Sequence, residues 1–139
     1  MVPNNSHRRI LVVDDHTELA ENLAEILDGE GYLAAVAESA EAALARVPVD
    51  EFHALITDFR LPGKSGPELI TALHQLGYGF PSLVVSAFTD PQTIAQAHEA
   101  GANAVLPKPV DIKALLAALQ QVLETGADAA LIKQRPAHS

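Results

Sequence analysis

Three aspartates, a serine and a lysine carry the chemistry that this sequence offers: Asp14, Asp15, Asp58, Ser86 and Lys108. Each ends or follows a short apolar run, at residues 10–13, 54–57, 82–86 and 104–106. One aspartate after such a run is ordinarily a turn former or a helix cap. If the runs are parallel strands of one sheet, however, all five side chains lie on one edge, where open α/β folds place their ligands. Five polar groups in register are hard to explain as turn chemistry alone.

Three clustered carboxylates repel. Two unit charges about 4 Å apart cost roughly 4 kcal/mol at an effective dielectric near ~20, so the cluster calls for a cation or for protonation. Oxygen ligands with room for water suit Mg2+ or Mn2+. Such an ion beside an ammonium and a hydroxyl is what a phosphoryl group needs: Lys108 neutralises its oxygens and Ser86 donates a hydrogen bond. One carboxylate can then be the nucleophile and become an aspartyl phosphate. Asp58 is the candidate, being single, central and followed by the loop Leu61-Pro62-Gly63-Lys64-Ser65-Gly66. Asp15 would hold the metal directly and Asp14 through water.

The elements that must position these groups are legible in the pattern. Ile10-Leu11-Val12-Val13 suits a strand buried on both faces. Leu19, Leu23, Ile26 and Leu27 then recur at helical spacing, with Thr17 or a neighbour as cap and Gly29 and Gly31 as stop. Residues 33–37 form a weaker, alanine-rich strand of edge character. Ser39 caps a short helix that runs to about Val47 before Pro48. After Asp58, Gly66 and Pro67 open a helix with Leu69, Ile70 and Leu73 inward and Gly77 beyond it. Residues 82–86 form a fourth strand, and Asp90-Pro91 starts the next helix, which Gly101 closes. A short fifth strand over 104–106 leads into Pro107-Lys108-Pro109. Asp111 caps a last helix bearing Ile112, Leu115, Leu116, Leu119 and Leu123. Strand and helix alternate five times, which implies a parallel sheet with helices on both faces and right-handed crossovers. Residues 1–8 read as a polar lead of solvated residues and 125–139 as a tail or linker.

The chain of 139 residues suffices for one domain, here 9–124, and is too short for two ordinary ones. It is 48% hydrophobic but 4% aromatic, so the core is aliphatic. A net charge of -9 repels nucleic acid and anionic membrane surface as direct partners. The absence of cysteine excludes disulfides and thiolate metal sites. No apolar run approaches the ~18 residues of a spanning helix, and no signal peptide is seen, so a cytoplasmic location is expected.

Taken together, Leu11-Val-Val-Asp-Asp15, Asp58-Phe-Arg-Leu-Pro62 with Gly66, Val85-Ser-Ala87 and Lys108-Pro109 resemble the receiver domain of two-component response regulators, over about residues 9–124. The resemblance implies a flavodoxin-like (βα)5 sheet in order 2-1-3-4-5, an order for which a member of this family is the standard illustration. It implies that Asp58 accepts a phosphoryl group from a histidine kinase or histidine phosphotransfer protein and so switches the binding of a downstream protein. It further implies Asp15, Asp58 and the backbone carbonyl of Arg60 as Mg2+ ligands, Ser86 as the switch hydroxyl, Lys108 as the phosphate-pairing lysine and a cis bond before Pro109. On this reading the protein is an enzyme only in catalysing its own phosphorylation and dephosphorylation, and is a monomer or weak homodimer. One position departs from the family: Val105 stands where a Tyr or Phe usually completes the switch. Bulky Arg60 and Phe88 flank the site and are expected to hinder attacking water.

Rival readings fare worse. Gly63-Lys64-Ser65 lacks the earlier glycine of a P-loop, since Asp58 stands in its place. A haloacid-dehalogenase-type phosphatase wants an acid two residues after its nucleophile, where Asp14 has His16. A degenerate receiver acting as a static adaptor is the remaining alternative. His53, His74 and His98 read as partly buried or surface side chains, and His16 as a loop residue rather than a ligand.

Overall fold

Residues 8–124 are described by the computed structural model. The tail over 125–139, and the lead but for Arg8, lie outside the described residues. Arg8 is tied to the fold: its carbonyl accepts the Leu33 N–H at 2.8 Å and its guanidinium donates to the Leu123 carbonyl at 3.3 Å.

Five strands alternate with five helices. In chain order they are β1 (Arg9–Val13), α1 (Thr17–Gly29), β2 (Leu33–Ala37), α2 (Ala40–Arg46) and β3 (Ala54–Asp58). There follow α3 (Gly66–Gln75), β4 (Ser82–Ser86), α4 (Pro91–Ala100), β5 (Ala104–Pro107) and α5 (Ile112–Glu124). All pairings are parallel, in the order β2-β1-β3-β4-β5. β2 is thus an edge strand, as its thin apolar content suggested. The chain order reverses between β1 and β3, and the crevice beyond the strand ends there is where such sheets bind ligands.

Alternation along each strand divides the core in two. Leu11 and Val13 of β1, Leu55 of β3 and Val84 of β4 pack with Ala40, Ala43, Leu69, Ile70, Leu73 and Ala97 of α2, α3 and α4. Ile10, Val12, Ile56, Leu83 and Val85 face the other way, onto Ala20, Leu27, Leu115, Leu119 and Leu123 of α1 and α5. The continuous apolar runs of the central strands are therefore buried on both faces, as a parallel sheet requires.

Helix ends follow from short polar side chains. Ser39 accepts the Ala42 N–H, Asp90 the Thr93 N–H, and Asp111 the Lys113 and Ala114 N–H groups. Ser65 and Glu68 form a reciprocal capping box at the start of α3. Of the two cap options, Thr17 or a neighbour, the neighbour holds the position. Thr17 is the first residue of α1, and His16 occupies the cap position without a side-chain cap bond. Asp14 Oδ1 instead accepts the His16 N–H at 2.9 Å, which turns the chain out of β1. Gly101 ends α4 at φ 115°, a left-handed conformation that favours glycine.

Candidate functional site

The strand ends bring the predicted groups to one edge. Asp58 is the last residue of β3, Asp14 and Asp15 follow β1, Ser86 closes β4 and Lys108 follows β5. Backbone bonds tie these ends together: Phe59 N–H to the Val85 carbonyl at 2.8 Å, and Lys108 N–H to the Ser86 carbonyl at 2.9 Å. A cleft of about 260 Å³ opens there, lined by Asp15, His16, Asp58, Arg60, Ser86 and Lys108 among others.

Lys108 Nζ lies 3.0 Å from Asp58 Oδ2. The aspartate is only 8% exposed and the lysine 27%, so the pair is largely withdrawn from water. Burial pushes the Asp58 carboxyl above its ordinary value of 3.8. The Lys108 hydrogen bond and charge pull it back, Asp14's charge raises it, and the Arg60 backbone lowers it by a hydrogen bond. Burial has the largest effect, so the ionised form of the Asp58 carboxyl is held at a cost.

Asp14, Asp15, His16 and Asp58 each offer a ligand atom, all within 4.8 Å of one another. Octahedral Mg2+ with bonds of about 2.0–2.1 Å needs neighbouring ligands about 2.9 Å and opposite ones about 4.2 Å apart. The carboxylates therefore fit a small divalent ion, with room for one of them to act through water. Arg60, two residues beyond Asp58, is exposed and lines the same cleft.

Ser86 is buried, and its Oγ accepts the Phe88 N–H at 3.0 Å. An accepting hydroxyl keeps its own proton to donate, so Ser86 can still offer O–H to a group on Asp58. Across the cleft mouth the Arg60 guanidinium lies over the Phe88 ring, 5.3 Å from its centroid. These two side chains come from the loops after β3 and after β4.

The loop after Asp58 returns close beneath it. A Cβ on Gly66 would collide with the Asp58 carbonyl oxygen and approach its carbonyl carbon to 3.2 Å. Glycine at this position is thus a packing requirement. Buried Thr57 donates its hydroxyl to the same carbonyl at 3.0 Å. The Lys108–Pro109 peptide is cis.

Val105 lies in β5 paired with Val84, half-buried on the α3–α4 side of the sheet. Its side chain leaves the edge without an aromatic ring at that position.

Of the histidines, His53 accepts the Arg9 N–H through Nδ1 at 2.9 Å, and the His98 ring bonds the Ala102 carbonyl at 3.0 Å. Both serve the scaffold. His16 is different: its Nδ1 sits 3.3 Å from Asp14 Oδ1 and 3.5 Å from Asp15 Oδ1. The sequence already set it beside the site as a loop residue, and it lies in the loop between β1 and α1.

A sequence model of the response regulator receiver domain matches residues 10–120. Over 109 residues the chain is 41% identical to a response regulator receiver protein of Anaeromyxobacter sp., covering 78% of this chain and 46% of that protein. Over 113 residues it is 33% identical to the transcriptional regulatory protein FixJ of Rhizobium meliloti, covering 81% and 55% respectively. The chain spans about half the length of these curated relatives. The crystal structure of a CheY-like receiver domain protein from Methanospirillum hungatei superposes with a TM-score of 0.82 at 31% identity, over 89% of this chain and 99% of that one. Chemotaxis protein CheY4 of Vibrio cholerae gives 0.79 at 29% identity, over 84% and 99%. Among the described residues no helix is long and apolar enough to cross a membrane.

Proposed function

The chain belongs to the response regulator receiver domain family, and from that premise we propose that Asp58 takes a phosphoryl group from a phosphohistidine of a kinase or phosphotransfer protein and thereby switches the binding of a downstream protein. The observation that carries this reading is the buried Asp58–Lys108 pair at 3.0 Å within the three-carboxylate cluster.

The chain's own groups divide the work. Lys108 fixes one carboxylate oxygen of Asp58 and so orients the nucleophile. An Asp58 oxygen attacks phosphorus, an oxygen–phosphorus bond forms, the nitrogen–phosphorus bond breaks, and its electrons return to the imidazole. Asp15, Asp58 and the Arg60 carbonyl, with Asp14 through water, would hold a divalent ion, which would supply positive charge against the phosphoryl oxygens. Lys108 then pairs with the phosphoryl oxygens, and Ser86 donates its hydroxyl proton to one of them. Phosphorylation turns the single negative charge of the Asp58 carboxylate into an acyl phosphate of about -2, a gain of about one unit that biases the neighbouring loops toward a second arrangement.

Because Ser86 is bonded to the Phe88 amide, any shift of the hydroxyl toward Asp58 pulls on the loop after β4. With Val105 in place of the family's aromatic, that loop and its Arg60–Phe88 contact are the route by which we expect the change to reach the surface.

Acetyl phosphate with Mg2+ tests the reading. A receiver gains one labile phosphoryl group, absent from Asp58→Asn; a phosphatase turns substrate over continuously; a static adaptor does neither. Either of the last two results sinks the proposal.

A further inference from the structure

We propose that His16 is a ligand of the divalent ion in this pocket and shifts its preference from Mg2+ toward Mn2+ and other transition-metal ions. This rests on the reading of the carboxylate cluster as a metal site and adds to it which ion the site favours.

Three observations place His16 in the pocket. Its Nδ1 lies 3.3 Å from Asp14 Oδ1 and 3.5 Å from Asp15 Oδ1, so it points at the carboxylates rather than along α1. It makes no side-chain cap bond, although it occupies the cap position of that helix. Its backbone is held by the bond from its N–H to Asp14 Oδ1 at 2.9 Å, which fixes where the ring starts. The ring is thus anchored at its base, and its side-chain bond, Nδ1–H to Asp14 Oδ1 at 3.3 Å, is the contact that metal binding through Nδ1 would replace.

The donor set becomes oxygen with one nitrogen. His16, Asp14, Asp15 and Asp58 place one donor each within 4.8 Å of one another, a spacing compatible with a shared small ion. In the tautomer with its proton on Nε2, Nδ1 offers a lone pair to the ion. Mg2+ is hard and gives up water reluctantly, so it gains little from imidazole. Mn2+, Co2+, Ni2+ and Zn2+ accept imidazole readily, with affinity rising along the divalent series. The same carboxylates without His16 would discriminate much less between Mg2+ and these ions.

Calorimetric titration of the full chain with MgCl2, MnCl2 and NiCl2 measures this directly, alongside His16→Ala, His16→Gln and Asp15→Asn. Wild type should bind Mn2+ at least about tenfold more tightly than Mg2+, and Ni2+ more tightly still. His16→Ala should lose about tenfold for Mn2+ and more for Ni2+, while Mg2+ stays within about twofold. His16→Gln keeps a hydrogen-bond donor but is a poor ligand, so it should resemble His16→Ala. If glutamine restores Mn2+ affinity, or if all three ions weaken equally, His16 only orients Asp14 and the proposal is overturned. Bound Co2+ should also give hyperfine-shifted imidazole protons in NMR spectra, and these should vanish in His16→Ala. Failure to bind any of the ions would remove the metal site itself. Mg2+ binding that is lost in Asp15→Asn, with selectivity untouched by His16, would remove this inference alone.

Discussion

β3 and β5 deliver the two ends of one ion pair, yet they are built differently. Every residue of β3 is buried, and the strand is flanked by β1 and β4 with helices on both faces. β5 is an edge strand whose first three residues are only half-buried and whose last is exposed. Nearby α4 buries one residue, Ala97. The proposed nucleophile, Asp58, therefore sits on the best-anchored strand, and the lysine paired with it follows a thinly packed one. A nucleophile must be held still to be oriented. A reporting element needs a second arrangement within reach, and regions with few buried contacts provide that at small cost.

The contrast should appear first in stability. Leu55→Ala in β3, at a fully buried position, should destabilise by about 2–5 kcal/mol. Val105→Ala in half-buried β5 should cost about 1 kcal/mol or less. Urea denaturation of the two variants compares them directly, and equal losses would erase the distinction.

Next in size is the loop that closes under Asp58. Gly66→Ala drives a methyl group into the Asp58 backbone, which cannot swing away as a side-chain tip would. A loss of about 1–3 kcal/mol is expected, with slower phosphorylation, because the nucleophile's own strand end moves. Unchanged phosphorylation kinetics in this variant would show that the edge yields more than its packing implies.

A smaller effect of opposite sign belongs to Asp58 itself. Burial and Asp14's charge hold its carboxyl above 3.8, so the folded state binds that proton more tightly than the unfolded chain does. Stability from this group is fully present below the unfolded value and is lost as pH rises through the folded one. At neutral pH without metal, Asp58→Asn should therefore be more stable than wild type by about 0.5–2 kcal/mol. The difference should shrink on acidification through the carboxylate range and on addition of Mg2+. Thermal melts across pH, with and without the ion, would expose a wrong sign at once.

The smallest expected effect is at the mouth. An exposed cation–π contact is worth about 0.5–1 kcal/mol, so Phe88→Ala or Arg60→Ala should speed phosphoryl loss by about two- to fivefold. Timing the decay of the phosphorylated form gives the answer, and identical lifetimes would leave the pair without a role in shielding Asp58.

The frame of this molecule was legible because local signals agreed. Apolar runs ended in polar residues, and Ser39, Asp90 and Asp111 announced three helix starts. The Ser65–Glu68 capping box was also written in the sequence, in the Ser-x-x-Glu spacing, but lay hidden behind the more obvious Gly66-Pro67. The convergence of Asp14, Asp15, Asp58, Ser86 and Lys108 followed once the strands were taken as parallel, since strand direction alone brings their ends to one edge. Other features depend on rotamers and loop paths, which no periodicity encodes. The turn of His16 toward two aspartates is one, set by a single backbone bond to Asp14. The stacking of Arg60 on Phe88 is another, because it joins two loops that are neighbours only through the β3–β4 pairing. Which residue holds the cap of α1 is a third, since it is His16 rather than Thr17. Asp14 serves the turn before the helix, so the helix start carries no side-chain cap.

The central claim is that these five side chains act as one phosphoryl-binding unit. Amide NMR spectra of the Mg2+-bound protein, recorded as beryllofluoride is added, test it most directly because the anion mimics a phosphoryl group on a carboxylate. The amides of Asp58, Ser86 and Lys108 should shift together along one saturable curve, with Ala87 and Phe88 following and Asp58→Asn showing nothing. Shifts at one strand end alone, or the same response in Asp58→Asn, would contradict the account.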